Sequence, residues 1–485
     1  MKQASSTFDF LDATFWRLCT AFACMLVVTA AMNVVVFPLF DGVFTFARDI
    51  SQTVQALTIL LIGVLATFRP AILKRVPLSG IALVGLVVGG VLLPASLAVG
   101  STPLLIAGSS LFALARGCIM LSVAVAIARH LSTKAIVVCI ALVYVASSAV
   151  QAFLWVMPIV AGFALYLLPP FVSLFLTHKD AMTMIALAVQ GERPADAAIT
   201  RPSSYLPLAS QVFVCLFLFH LAFGFSLRFG ESTGIPVETF FNIIPVGILA
   251  ILLMRWGRFD ADRLLQVSVL LVTVGFLFVN SNDGSVRNVS NILLSSGKTA
   301  FNMVSWIVIM SVGARNKVGA LSVAGWGDGI GAIGTLVGAA LGIGGNHLVE
   351  HSPTGLMVLT GVLLALFVGY ALIGLKNFSF ETAIEGIVPV EEPEVRSESP
   401  EDLFQARCDA IAEEYHLTPR EREVFAMLAR GRNREYIQEK LVVSRNTVKA
   451  HVRHVYEKLD IHSHQELIDL VEEGNLGAEF SGSSV

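Results

Sequence analysis

Residues 444 to 459 read Ser-Arg-Asn-Thr-Val-Lys-Ala-His-Val-Arg-His-Val-Tyr-Glu-Lys-Leu. Val448, Val452, Val455 and Leu459 recur at steps of four, three and four, which predicts a helix with one apolar stripe. Arg445, Asn446, Thr447, Lys449, Ala450, Arg453 and Lys458 fall on its other faces, and Ser444 stands where an N-cap is expected. Arg445, Lys449 and Arg453 make a cationic ridge at i, i+4 and i+8. From Arg430 to Lys458 there are eight Lys or Arg against three Glu, although residues 403 to 473 as a whole hold eleven basic and thirteen acidic side chains. Positive charge is therefore concentrated here, the footprint expected of contact with phosphates. A charged helix face alone is more often a solvated surface, so what precedes it matters.

Upstream, Thr418-Pro419-Arg420-Glu421 spells a capping box with proline at the first helical position, and Gly431 stops the helix that it starts. Asn433 caps a second helix through Tyr436, Ile437 and Leu441. Ser463-x-x-Glu466 boxes a fourth that carries Leu467, Leu470 and Val471. Two short helices joined by a tight turn, the second with a capped basic N-terminal end, spell a helix-turn-helix.

The run Leu417-Thr418-x-Arg420-Glu421-x-Glu423-Val424, Gly431, Ile437, Leu441, Ser444-x-x-Thr447-Val448-Lys449-x-His451 and Tyr456-x-Lys458-Leu459 resembles the LuxR-type helix-turn-helix. The resemblance implies a four-helix domain that reads the major groove of double-stranded DNA with its third helix. It also implies a homodimer on DNA, paired through the last helix and so through Leu467, Leu470 and Val471. Lys449, Ala450 and Arg453 stand where that family contacts bases. Thr447, Lys458 and the segment 433 to 434 stand where it contacts phosphates or packs internally. Gln438 replaces the usual alanine, and His464 lies in a region that often holds arginine.

The rest of the chain is of another kind. The whole has 485 residues, is 55% hydrophobic and only 14% charged, against about 25% charged in soluble domains. The net charge of -3 hides a break at about residue 376. Before it, apolar stretches near the 20 residues needed to cross a bilayer follow one another. They run at 15 to 38, 50 to 68, 77 to 98, 104 to 128, 135 to 150, 154 to 177, 206 to 228, 239 to 254, 264 to 280, 290 to 313, 318 to 344 and 354 to 375. One alternate set of connecting loops holds thirteen Lys or Arg, among them Arg69, Lys134 and Arg258; the other holds only Arg48 and Arg287. By the positive-inside rule both termini are cytoplasmic, and the expected location is the inner (cytoplasmic) membrane. The fold class is thus all-α: a polytopic membrane bundle of twelve spans with a C-terminal helix-turn-helix domain.

The segment 178 to 205 divides the spans into halves at 15 to 177 and 206 to 376, a layout that resembles the major facilitator superfamily. Gly63-Val64-Leu65-Ala66-Thr67-Phe68-Arg69 matches that family's motif after the second helix, with Thr67 in place of its aspartate. Arg116, Lys298, Asp328 and Arg228 are the charges inside the spans. Intramembrane charges face a cavity or a partner. Arg116 and Lys298 stand at comparable depths in the two halves, a cationic midplane suited to an anionic small-molecule ligand; a Lys298–Asp328 bridge that only ties helices together is the alternative. Gly334-x-x-x-Gly338-x-x-x-Gly342 permits close helix approach, with packing ahead of a hinge.

Residues 1 to 14 read as a cytoplasmic N-terminus, 377 to 402 as an acidic flexible tether, 403 to 473 as the DNA-binding domain and 474 to 485 as a tail. The six cysteines lack metal or disulfide spacing, no metal or cofactor is expected, and no phosphate loop or nucleophile–base pair points to an enzyme. The chain supplies no receiver domain, so the spans occupy the sensory position. The reading is a one-component regulator of transcription in which the membrane part senses a small molecule. A transporter that also regulates is the second reading.

Overall fold

The computed structural model describes residues 11–74, 76–190, 211–228, 261–278, 284–374 and 400–473, with a few isolated positions between them. The chain separates into two compact units, Met1–Pro393 and Glu394–Val485. Both are helical, and no strand forms among the described residues.

The first unit begins with α1 (Ala13–Ala31), capped by Asp12, whose carboxylate accepts from the Phe15 amide at 2.7 Å. A π-helical turn, Met32–Val36, leads into α2 (Phe37–Asp41). Then come α3 (Ala47–Phe68), α4 (Pro70–Lys74), α5 (Leu78–Val99), α6 (Thr102–His130), α7 (Thr133–Leu154), α8 (Ile159–Leu167) and α9 (Pro169–Gln190). They are followed by α10 (Gln211–Arg228), α11 (Ala261–Phe278), α12 (Gly284–Arg315), α13 (Ala320–His351) and α14 (Pro353–Gly369), which ends in a π-helical turn, Tyr370–Gly374. Among the described residues, eight helices are long and apolar enough to cross a membrane, with Phe213–Phe225 and Met357–Ile373 as shorter apolar helices. Most of the eighth expected span, 239 to 254, lies outside the described residues, as do 1 to 10, the end of the 178 to 205 segment and the tail. The start of that segment is helical, because α9 continues to Gln190.

Large apolar side chains such as Phe175, Ile373 and Val160 stand outward. In water they would form a sticky surface; hydrocarbon solvates them. Inside, glycine sets the spacing between α3, α10 and α13. A Cβ on Gly63 would lie 2.8 Å from the Gly325 carbonyl carbon, and one on Gly338 would run into the Leu221 carbonyl oxygen. Those helices touch backbone to backbone, which is the packing role expected of the glycine series. Thr67 is used here: its hydroxyl donates to the Gly63 carbonyl at 2.8 Å and accepts from the Trp326 indole at 3.0 Å.

The second unit consists of α15 (Pro400–Glu414), α16 (Pro419–Ala429), α17 (Arg434–Leu441), α18 (Arg445–Leu459) and α19 (His464–Glu473). The resemblance implied four helices from residue 403; α15 is a fifth, and it starts inside the stretch read as tether. It forms because Phe404, Cys408, Ile411 and Tyr415 recur at helical spacing and pack on the same core. Val448, Val452, Val455 and Leu459 are all buried there, the stripe read from the sequence.

Candidate nucleic-acid interface and membrane cavity

Local hydrogen bonds set the ends of α16, α17, α18 and α19. The capping box is formed at both ends: Glu421 N–H donates to Thr418 Oγ1 at 3.4 Å, and Thr418 N–H donates to the Glu421 carboxylate at 2.9 Å. Asn433 caps α17 through the Tyr436 amide at 2.9 Å, and Ser444 caps α18 through the Thr447 amide at 3.2 Å. Ser463 accepts from the Glu466 amide at 3.1 Å and donates to its carboxylate at 2.8 Å. Between α17 and α18, Val442 holds a left-handed backbone at φ 53°, unusual for a β-branched residue, with its side chain in solvent.

These constraints leave Arg445, Asn446, Thr447, Lys449 and Arg453 exposed, with Ala450 half-buried. Asn446, Lys449, Ala450 and Arg453 line one concave surface together with Arg434 and Tyr456. Arg453 is held loosely by Glu457 at 3.5 Å, and both side chains are more than half exposed, so the guanidinium can exchange that carboxylate for a phosphate or a base edge. Thr447 shares its hydroxyl with Ser444 at 2.7 Å, which ties it to the cap.

Lys458 has an internal place. Its ammonium donates to Glu421 at 2.7 Å and to the His416 carbonyl at 3.1 Å, clamping the end of α18 onto the start of α16. Of the phosphate and packing roles left open for it, the contacts are those of packing. Glu421 is buried, with His454 Nδ1 3.8 Å away. Burial alone would raise its carboxyl pKa; hydrogen bonds from Lys458 and Thr418 outweigh this and hold it down at about 2. Arg430 also works internally, over the Phe404 ring at 5.3 Å and on Gln405 at 3.1 Å.

Leu467 and Val471 are 0% and 2% exposed within the domain's own core, and Leu470 packs against that core as well. Leu467 and Val471 thus serve the domain's core, while Leu470 keeps part of its surface exposed.

In the first unit, a cavity of about 210 Å³ is lined from both sides of the bundle, by Arg48, Asp49, Gln52 and Gln55 of α3 and by His220, Arg228, Lys298 and Asp328 of α10, α12 and α13. The π-helical turn at the end of α1 contributes Asn33 to the wall, an extra residue per turn of the kind often found at functional sites. Arg228 donates to Asp49, joining α10 to α3. Lys298 places its ammonium 3.5 Å from the centre of the Phe223 ring. Asp328 enters no hydrogen bond or ion pair among the described residues, so the expected alternative of a Lys298–Asp328 bridge is not formed. Arg116 is placed differently from its expected partner Lys298. It is buried behind the wall, donating to Met32 Sδ at 2.7 Å and to Gln55, beside the Tyr166 ring. The cavity thus combines Lys298, Asp328 and Arg228 and leaves Arg116 as the support of Gln55. Arg48, counted as a loop charge from the sequence, is buried in the wall. His220 and Asp49 were missed; each is a polar residue within or beside an apolar run, the one signal they offered.

At another end of the bundle Asp180 gathers Arg17 at 3.0 Å, His130 at 2.6 Å and Arg129 at 3.6 Å, binding the start of α1 and the end of α6 to α9.

Comparison with known proteins separates the two units. Residues 415–471 match the family described as bacterial regulatory proteins, luxR family. Over 71 residues the chain is 38% identical to the uncharacterized response regulatory protein YgeK of Escherichia coli (strain K12), a stretch that is 14% of this chain and 48% of that protein. The chain therefore spans about half the length of the curated relative it matches. Among solved structures, the Major Facilitator Superfamily transporter FucP in its outward conformation aligns over 77% of this chain and 98% of its own, at 16% identity and a TM-score of 0.47. The human organic anion transporter MFSD10 (TETRAN) aligns over 73% and 97%, at 14% identity and a TM-score of 0.49. The C-terminal unit carries a LuxR-type helix-turn-helix DNA-binding domain, on a chain whose other unit is built of apolar helices of membrane-crossing length.

Proposed function

We propose that this chain is a one-component regulator of transcription moored in the cytoplasmic membrane, in which a small molecule entering the bundle changes the DNA binding of the C-terminal domain. One observation carries the reading: a basic, exposed recognition surface of LuxR type shares a chain with a membrane bundle that encloses a polar cavity lined from both of its sides. A ligand shifts such a bundle only if it binds one arrangement of the helices more tightly than the other. Residues reaching the cavity from α3 on one side and from α10, α12 and α13 on the other suit that, because their separation changes when the two groups move. Asn446, Lys449, Ala450 and Arg453 read bases, Arg445 and Thr447 meet phosphates, and two copies bind one operator.

Both termini are cytoplasmic in this reading. The bias of basic residues supports it, as does the meeting of Arg17, Arg129 and His130 on Asp180, which brings the N-terminal end of α1 beside a connection counted as cytoplasmic.

The test maps the DNA bound by full-length protein in cells and follows transcription of the bound genes as growth conditions change. Lys298→Ala protein should reach the membrane at normal levels, occupy the same sites and no longer change transcription. An unaltered response would reduce the cavity to a packing feature.

A further inference from the structure

We propose that the cavity is a site for a small zwitterion, whose ammonium pairs with Asp328 while its carboxylate faces Lys298 and Arg48. The inference rests on the sensing role above and names the chemistry of that site.

Size sets the first limit. At about 30 Å³ per water, 210 Å³ is room for about seven waters, so the occupant is of amino-acid dimensions. Charge sets the second. The wall carries three cations, Arg48, Arg228 and Lys298, and two acids, Asp49 and Asp328. Arg228 and Asp49 are committed to each other. Asp328 is not: it makes no hydrogen bond or ion pair among the described residues, even though cations line the same space. A carboxylate without a partner in the interior of a membrane bundle is costly, and one beside a ligand cavity is satisfied when the ligand brings a positive group. Lys298 is held on the Phe223 ring, which fixes where its charge stands. A simple anion would satisfy the Lys298 side and be repelled by Asp328; a simple cation would do the reverse. A molecule carrying both groups satisfies both walls.

Full-length protein in phospholipid nanodiscs, titrated calorimetrically, provides the test. The probes are ω-amino acids from β-alanine to aminocaproate, each against the alkanoate and the alkylamine of the same chain length; the series samples the distance between the two charged groups. At least one amino acid should bind about tenfold tighter than both of its matched partners, or about 1.4 kcal/mol. In Asp328→Asn the advantage over the alkanoate should vanish while the alkanoate still binds. Alkanoates that bind the wild type as tightly as the amino acids, a series without any binder, or discrimination that survives in Asp328→Asn would each overturn the proposal. The wild-type comparison decides even if the variant fails to fold. Failure here, alongside a transcriptional response still abolished by Lys298→Ala, removes the zwitterion and leaves the sensing role; loss of both removes both.

Discussion

Replacing Glu421 by glutamine keeps the side chain's shape and removes the charge that Lys458 and the Thr418 amide hold. In the folded domain this carboxyl titrates at about 2, against the ordinary 4.5. A depressed carboxylate contributes stability that is fully present above pH 4.5 and is lost as pH falls from there through about 2. Once solvent around the half-exposed Lys458 is allowed for, the difference corresponds to about 2–3 kcal/mol. Urea unfolding of a fragment spanning 394 to 485, which keeps α15 whole, should show wild type losing that amount between pH 5 and pH 2. Glu421→Gln should start lower by about the same amount at pH 7 and be flatter over that window. Lys458→Met should behave alike, since it leaves a buried carboxylate without its cation. If Glu421→Gln matches wild type at pH 7, or if Lys458→Met leaves stability unchanged and weakens binding to every DNA sequence equally, Lys458 is a phosphate contact and the clamp has no energetic role.

Lys449→Ala or Arg453→Ala should cost about 1–3 kcal/mol on the cognate site and blur sequence preference, measured by titration of specific and random duplexes over a range of salt. Gly338→Val should cost about 1–3 kcal/mol or prevent assembly, because its side chain meets the Leu221 carbonyl; Gly344→Ala, where nothing lies within 4 Å, should leave the thermal midpoint in detergent unchanged. Val442→Asn should raise the stability of the 394 to 485 fragment by about 0.5–1 kcal/mol by easing the left-handed backbone, read as a higher urea midpoint with the same slope.

The DNA-binding unit was legible because its signals are local. A capping box, an Asn cap and a four-three-four valine stripe involve residues within one turn or two of each other, so the chain announces them. The membrane cavity was legible only in part. Asp328, Lys298 and Arg228 stood out as charges in apolar runs, but Arg48 and Asp49 read as loop residues, and only the folded chain reveals that α3 begins at Ala47 and carries both into the wall. Depth in sequence likewise could not distinguish Arg116, which props Gln55 from behind, from Lys298, which lines the space. Periodicity identified Leu467, Leu470 and Val471 as an apolar face without saying what covers it; Leu467 and Val471 lie in the domain's own core, and Leu470 stays partly exposed. Helix α15 was overlooked because its apolar stripe starts directly after an acidic run, where composition outweighed spacing.

Membrane vesicles of known sidedness, carrying the full-length protein, offer the most direct check on a DNA-reading domain tethered to the cytoplasmic face. Inside-out vesicles should retain a promoter fragment found by mapping, release it steeply as salt rises, and lose it with Lys449→Ala. Right-side-out vesicles should retain none. Retention by right-side-out vesicles alone, or by neither kind, would contradict a membrane-moored regulator.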